Sequence, residues 1–165
     1  MSGLATRIAR LSPTNRRLAA ESVMTLGLAA LVVAFLPFRW ISALVRFPEC
    51  AIDDVGEQQR AIAAVRWAVR VSSRRVPWRA KCLEQALAVH WMLRRRSVTT
   101  VIHYGIAKRI DGLGAHAWVS AGSIQVIGFE SADEFGEVVQ FPSQNRTDSS
   151  ARANVRFALL RRPRL

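Results

Sequence analysis

The first part of the chain repeats apolar residues at helical spacing and interrupts them with turn residues. This pattern predicts helices from near Asn15 through the uncharged run 22–38, and then over 38–47, 58–75 and 82–96. The pair Asp53-Asp54 precedes the helix of 58–75, where a carboxylate caps free backbone N–H groups. We therefore interpret this acidic pair as an N-cap rather than as a metal site.

The second part of the chain has the short apolar alternation of strands. Residues 98–107 are β-branched and aromatic and predict a strand, followed by a turn over 108–114. Segments 115–121 and 124–127 flank Gly122-Ser123, which predicts a two-residue hairpin. After Phe129 the chain becomes acidic and ends in a polar loop, and the basic tail over 152–165 that follows fits an edge strand or a helix.

These elements predict an α+β fold in which helices pack on a small antiparallel sheet. A length of 165 residues is typical of one domain with its own core. Within it we distinguish a helical part over 1–57, a core over 58–145 and a basic tail over 146–165.

The uncharged run 22–38 is as long as the roughly 17 to 25 residues that cross a bilayer. Arginines on both sides of the run would suit a spanning helix. Ser22, Thr25, Gly27 and Pro37, together with many alanines, instead favour a helix that is buried in the domain or lies on a surface. We expect the second arrangement.

The formal charge of +12 arises mainly from arginine and favours an acidic partner, which includes peptides, nucleic acids, anionic membranes and acidic subunits. The two cysteines, Cys50 and Cys82, are interpreted as reduced thiols of a cytoplasmic protein. Neither a phosphate-binding glycine loop nor a C-x-x-C pair occurs, so no cofactor and no metal are expected.

Cys82 stands at the start of a predicted helix, which is the position of many cysteine nucleophiles. The helix N-terminus favours the thiolate, and its free N–H groups can bind an oxyanion. Arg79 and Lys81 add positive potential, while Glu84 and Gln85 suit capping. The alternative is that Cys82 is a small buried apolar residue.

A histidine that activates Cys82 would complete the site, and His116 in the sequence A-H-A-W-V is the candidate. Strand alternation places His116 and Trp118 on one face and small alanines on the other, which leaves room for an imidazole. His90 shares an apolar helix face and is interpreted as a core residue, and His103 has no motif around it. A third group should orient the catalytic histidine.

The motifs W-R-A-K-C-L-E-Q-A-L-A-V-H-W-M-L-R-R-R, V-I-H-Y-G-I-A-K, G-A-H-A-W-V-S and V-I-G follow one another in this order. Together they resemble the lasso peptide biosynthesis B2 protein, a transglutaminase-like cysteine protease, over residues 61–129. The resemblance implies a papain/transglutaminase-like fold with Cys82 as nucleophile and His116 as general base. It implies removal of a leader peptide from a ribosomally made precursor.

The same resemblance implies partners. They are the precursor's leader peptide, a small separate leader-binding protein and an ATP-dependent lasso cyclase that closes the macrolactam; no nucleic acid is expected. Peripheral association with a membrane remains an expectation from the apolar helix. An extended leader could add to the sheet edge of strand 98–107 or of the hairpin.

The family's third catalytic residue is typically an Asp shortly after the strand that follows the histidine strand. Here that region reads V-I-G-F-E-S-A-D, with Gly128 near the expected position. Glu130 is the first candidate and Asp133 the second, each with a solvated loop residue as the alternative. Trp78 and Trp118 are the candidate substrate-binding residues.

Two other functions fit the residues. A transglutaminase or amidase would use the same Cys-His pair on a glutamine amide. A membrane-associated binding subunit would have Cys82 and His116 as core residues without catalysis.

Overall fold

Helices precede a four-stranded antiparallel sheet in the computed structural model, which describes residues 12–45, 54–110 and 112–142. The helices are α1 (Pro13–Phe35), α2 (Phe38–Leu44), α3 (Val55–Ser73) and α4 (Cys82–Arg94). The strands are β1 (Val101–Arg109), β2 (Gly112–Ala121), β3 (Ile124–Ile127) and β4 (Gly136–Phe141), with a 3-10 helix, Phe129–Glu134, before β4. The predicted α+β class is confirmed.

The starts of the helices follow their capping residues. Ser12 caps α1 by accepting a hydrogen bond from the Asn15 N–H at 3.2 Å. Asp54 caps α3, since its Oδ1 accepts from the N–H groups of Gly56 at 2.7 Å and Glu57 at 3.3 Å. The N-cap prediction is confirmed for Asp54, whereas Asp53 lies outside the described residues.

The sheet has the strand order β3-β2-β1-β4, with every neighbouring pair antiparallel. Strand β1 is flanked on both sides, so the prediction that 98–107 offers a free edge for a peptide is wrong. Within the part of the chain that the structure describes, β3 of the predicted hairpin lies at an edge of the sheet. The hairpin alternative for strand addition therefore stays open.

One connection and one strand of the sheet differ from expectation, and one connection agrees with it. The predicted turn over 108–114 is wrong, because β1 continues to Arg109 and β2 already begins at Gly112, whose φ of +125° turns the chain. Strand β4 lies in the acidic region after Phe129, where no strand was predicted. The hairpin at Gly122 is confirmed, with φ of +57° at that glycine.

One apolar core joins the helices to the sheet. Helix α4 packs on α1 and α3 on one side and on β2 on the other. Ser22 of α1 lies in this contact, where its hydroxyl is 2.5 Å from the Ser72 hydroxyl of α3 and 3.3 Å from the Ala68 carbonyl. This packing fixes α4, and with it Cys82, against the strand that carries His116.

Candidate active site

Cys82 is the first residue of α4 and is half-buried. The residue before it, Lys81, has extended backbone geometry, and its own N–H donates to the Glu84 carboxylate at 3.1 Å. A lysine side chain has no acceptor, and Lys81 makes no side-chain cap hydrogen bond. The first N–H groups of α4 therefore stay available for a substrate oxyanion.

Cys82 and His116 line one cavity of about 440 Å³ between α3, α4 and the sheet. The structure thus brings the two predicted catalytic residues together from the start of a helix and the middle of a strand. Ala117, the buried neighbour of His116 in β2, also lines this cavity. The complete lining is Arg70, Ser73, Arg74, Cys82, Gln85, His116, Ala117, Ile127, Gly128 and Glu130.

His116 is held through its Nε2, which lies 2.6 Å from the carbonyl oxygen of Gly128. A carbonyl only accepts, so Nε2 carries a proton and donates it. In the neutral imidazole Nδ1 is then the unprotonated nitrogen, which is the form that a general base needs. The ring is further supported by Trp118 at 6.0 Å and Phe135 at 5.2 Å between ring centroids.

Gly128 is in the left-handed region, with φ of +84°. A Cβ at this position would lie 2.7 Å from the Ala117 carbonyl oxygen and 3.0 Å from Trp118. The close approach to β2 and the positive φ both require glycine. This glycine stands near the position at which the motif resemblance implies an aspartate, and its carbonyl supplies the acceptor for His116.

The two carboxylates predicted as third catalytic residues lie on the 3-10 helix that follows Gly128. Glu130 reaches the wall of the cavity, but its carboxylate is paired with the Arg70 guanidinium of α3. Asp133 is exposed and does not line this cavity. Their catalytic roles stay predictions, and the acceptor that contacts His116 Nε2 is a backbone carbonyl.

His90 is fully buried in the core, as expected from its place on the apolar face of α4. Its Nδ1 is 2.7 Å from the Thr100 hydroxyl, and its Nε2 has no hydrogen-bond partner among the described residues. Burial, with the positive charge of Arg94 as a second cause, lowers the pKa of His90 to about 4. The imidazole is therefore neutral near pH 7.

His103 has the side-chain partners that were sought for His116. Its Nδ1 is 3.0 Å from the Glu137 carboxylate and its Nε2 is 2.8 Å from the Ser120 hydroxyl. The sequence offered no sign of this network, because Glu137 belongs to β4, where no strand was predicted. His103 does not line the cavity of Cys82.

The two candidate substrate-binding tryptophans lie in different places. Trp78 packs against α1 at Gly27, and its indole Nε1 is buried without a partner among the described residues. Trp118 is only 5% exposed and stacks between His103 and His116. Neither lines the cavity of Cys82, and their roles in substrate binding stay predictions.

Tyr104 of β1 is a residue of this region that sequence reasoning missed. It pairs with Ala117 across the sheet and is half-buried. Burial raises the pKa of Tyr104, and the negative charge of the Cys82 thiolate raises it further. The one signal in the sequence is the alternation of side chains along β1, which places Tyr104 on the same face of the sheet as its partner Ala117, towards α4.

Comparison with known proteins agrees with this arrangement. The sequence model of the transglutaminase-like superfamily matches residues 24–140, a span that includes Cys82 and His116. No curated protein and no solved structure matches the chain. The chain belongs to the transglutaminase-like superfamily, a domain type that is common among cysteine proteases and acyltransferases.

Proposed function

We propose that this protein is a cysteine peptidase that removes the leader peptide from a ribosomally synthesised lasso peptide precursor. The observation that carries the proposal is the cavity that Cys82 and His116 share, with His116 held by a backbone carbonyl in the tautomer of a base. The choice of a lasso peptide precursor as the substrate rests on the motif resemblance over 61–129. In the same proposal the protein acts with a separate leader-binding protein and a macrolactam cyclase.

The first half of the reaction acylates the enzyme. His116 Nδ1 takes the proton of the Cys82 thiol, and Sγ attacks the scissile carbonyl carbon. The oxyanion that forms accepts a hydrogen bond from the Cys82 N–H at the start of α4. As the C–N bond breaks, Nδ1 returns the proton to the leaving amine, and a thioester remains on Sγ.

The second half hydrolyses that thioester. A water molecule loses a proton to His116 Nδ1 and attacks the thioester carbon, and the C–S bond breaks to release the carboxyl product. The thiol is regenerated when Nδ1 gives up its proton. Throughout both halves the Nε2–H remains on the Gly128 carbonyl, so the ring keeps one orientation.

Cleavage of a lasso precursor in the presence of the leader-binding protein tests the proposal, with mass spectrometry of the released leader as the measurement. We expect the wild type and a Cys50→Ala control to release it. Cys82→Ala and His116→Ala should not, while their circular dichroism stays that of the wild type. Release of leader by either of these two variants would overturn the assignment.

Acyl transfer to an amine is the second candidate, because the superfamily also includes acyltransferases. In this reaction the Cys82 thioester forms from a glutamine side-chain amide and is resolved by a primary amine instead of water. Incubation with a glutamine peptide and a labelled amine distinguishes the two. Label incorporated without chain scission would support acyl transfer over proteolysis.

Helix α1 is long and apolar enough to cross a membrane by length and composition, and it lies near the N-terminus. Its inner face is packed in the core through Ser22, Leu26 and Ala29. Its outer face exposes Met24, Leu28, Leu31 and Phe35, each at least half exposed. Because one side is packed on α3 and α4, we place the outer stripe on a membrane surface rather than across the bilayer.

Vesicle co-sedimentation tests this placement. We expect the wild type to bind vesicles containing anionic lipid more than neutral vesicles, because the chain carries a formal charge of +12. Leu28→Gln with Leu31→Gln should reduce binding to both. A double variant that sediments like the wild type would exclude the stripe as the contact.

A further inference from the structure

Arginines of α3 and of its C-cap form a positively charged row beside the cavity of Cys82. Arg66, Arg70 and Arg74 are spaced four residues apart and therefore lie on one face of the helix. Arg70 is common to the cavity of Cys82 and to two cavities along α3, one lined by Arg66 and one by Arg74. The row therefore lines the cavity of Cys82 and two further cavities along α3.

The guanidinium groups of this row are close enough to affect one another. Burial lowers the pKa of Arg70, and the positive charges of Arg66 and Arg74 lower it further. An anion that binds between these guanidinium groups reduces their mutual repulsion, so anion binding is favoured here. Positive potential is therefore concentrated where a peptide would pass to reach Cys82.

Arg70 already binds a carboxylate, that of Glu130. Both side chains remain accessible, with 37% of Arg70 and 61% of Glu130 exposed. An exposed ion pair of this kind contributes little net stability, so it can exchange for another carboxylate. Arg70 and Glu130 both line the cavity of Cys82, so the exchange would take place in the same cavity as the thiol.

We propose that Arg70, flanked by Arg66 and Arg74, is a subsite for an acidic side chain of the peptide substrate, and that Glu130 occupies it until substrate displaces it. The inference rests on the proposed peptidase function for the nature of the substrate. It gives Glu130 a different role from that of third catalytic residue. The Glu130 carboxylate competes with the substrate, and its removal should favour acidic substrates.

Alkylation of Cys82 by iodoacetate and by iodoacetamide tests the subsite directly. Both reagents form the same S–C bond and release iodide, and they differ by a carboxylate in place of an amide. The measurement is the ratio of the two rate constants, iodoacetate over iodoacetamide, in the Cys50→Ala background. The ratio cancels changes in the intrinsic reactivity of the thiol.

We expect Arg70→Gln to lower this ratio about fivefold and Glu130→Gln to raise it by a similar factor, as the gain or loss of one exposed ion pair predicts. Arg60→Gln is the matched control. It removes the same charge from the same helix, but Arg60 donates to the Gly56 carbonyl and lines none of these cavities. Its ratio should stay near that of the wild type.

Two outcomes would overturn the subsite. One is an Arg70→Gln ratio equal to that of Arg60→Gln, which would mean that only net charge matters. The other is a Glu130→Gln variant that slows both reagents equally, which would assign Glu130 to the support of His116. The opposite signs expected for the two variants keep the test valid even if one of them loses stability.

Peptide protection extends the test to substrates. Triglutamate should protect Cys82 from iodoacetamide better than triglutamine, and Arg70→Gln should abolish the difference. If these tests succeed but the protein does not cleave the precursor, the acidic subsite is retained and the peptidase function is overturned. If the protein cleaves the precursor but shows no preference for acidic peptides, the peptidase function is retained and the subsite is overturned.

Discussion

Two histidines on one face of the sheet, on either side of Trp118, have opposite surroundings. His103 stacks almost parallel on Trp118, at 5.6 Å and 3°, and both its ring nitrogens contact side chains, those of Glu137 and Ser120. His116 lies on the other side of the same indole, and its hydrogen-bond partner among the described residues is a backbone carbonyl, which Nε2 contacts. By side-chain type alone, the Ser-His-Glu group of His103 looks more like a catalytic triad.

The position of Cys82, the proposed nucleophile, nevertheless favours the region of His116. Ser120 lies within β2, where its neighbours across the sheet are Val101 and Gln125. The backbone N–H groups of this region form the hydrogen bonds of the sheet and are not available to an oxyanion. Cys82 instead begins a helix whose first N–H groups have no cap from Lys81. A carboxylate next to a histidine is therefore a weaker sign of catalysis than a histidine that shares a cavity with a thiol at a helix start.

Replacing each histidine with glutamine gives the largest expected difference between the two regions. His116→Gln should reduce leader cleavage by about 10²–10⁴-fold, the usual contribution of a general base. His103→Gln should retain cleavage to within about tenfold, because its ring contacts Glu137 and Ser120 and not the cavity. Initial rates of leader release measure both. Equal losses in the two variants would show that the His103 network belongs to the catalytic machinery.

His90, the third histidine, separates the effect of pH on the fold from its effect on catalysis. Its folded-state pKa of about 4 is below the ordinary value of 6.5, so the unfolded chain binds the proton more readily. Its contribution to stability is complete above pH 6.5 and is lost as the pH falls to about 4. From this shift we expect a loss of about 3 kcal/mol in the free energy of unfolding.

Urea unfolding at pH 7, 6, 5 and 4.5 measures this dependence. His90→Gln should be less stable at pH 7 and should lose less stability than the wild type between pH 6.5 and 5, where few carboxylates titrate. Glu21 contributes at lower pH, because its hydrogen bond with Arg96 lowers its pKa. Identical pH profiles for His90→Gln and the wild type would contradict the assignment of a neutral buried imidazole.

Gly128→Ala tests the backbone carbonyl that distinguishes His116 from His103. The new Cβ would lie 2.7 Å from the Ala117 carbonyl, at a residue with φ of +84°. We expect a loss of about 1–3 kcal/mol in stability, together with slower cleavage as the carbonyl moves away from Nε2. Thermal unfolding and leader release are the measurements.

Gly122→Ala is the control for this change. Its φ is also positive, at +57°, but a Cβ there meets nothing within 4 Å. It should therefore cost only the conformational strain of about 1 kcal/mol and leave cleavage unchanged. If both glycine variants lose cleavage alike, the position of the Gly128 carbonyl is not what matters.

The parts of this site that the sequence predicted depend on local signals. Cys82 at a helix start, the hairpin at Gly122 and the cap at Asp54 each follow from a few neighbouring residues, and each is where it was expected. The predicted boundaries at 57 and 145 stay predictions. Cys50 and the basic tail over 152–165 lie outside the described residues.

The parts that could not be predicted depend on contacts between distant segments. The partner of His116 is the backbone carbonyl of Gly128. Because every residue has such a carbonyl, the sequence does not indicate which one accepts the hydrogen bond. Strand β4 was missed because the acidic residues around it dominated the pattern, although Val138, Val139 and Phe141 carry strand propensity. Without β4, neither the pairing of Glu137 with His103 nor the central position of β1 could be inferred.

Glu137→Gln has the smallest expected effect and tests the His103 region most directly. It keeps the shape of the side chain but removes the charge that faces His103 Nδ1 at 3.0 Å. Since the carboxylate is about one third exposed, we expect a loss of at most about 1 kcal/mol in unfolding free energy. Leader cleavage should equal that of the wild type. A variant that unfolds normally but fails to cleave would mean that the sheet transmits the state of His103 to His116 through Trp118, and the two regions would then have to be treated as one site.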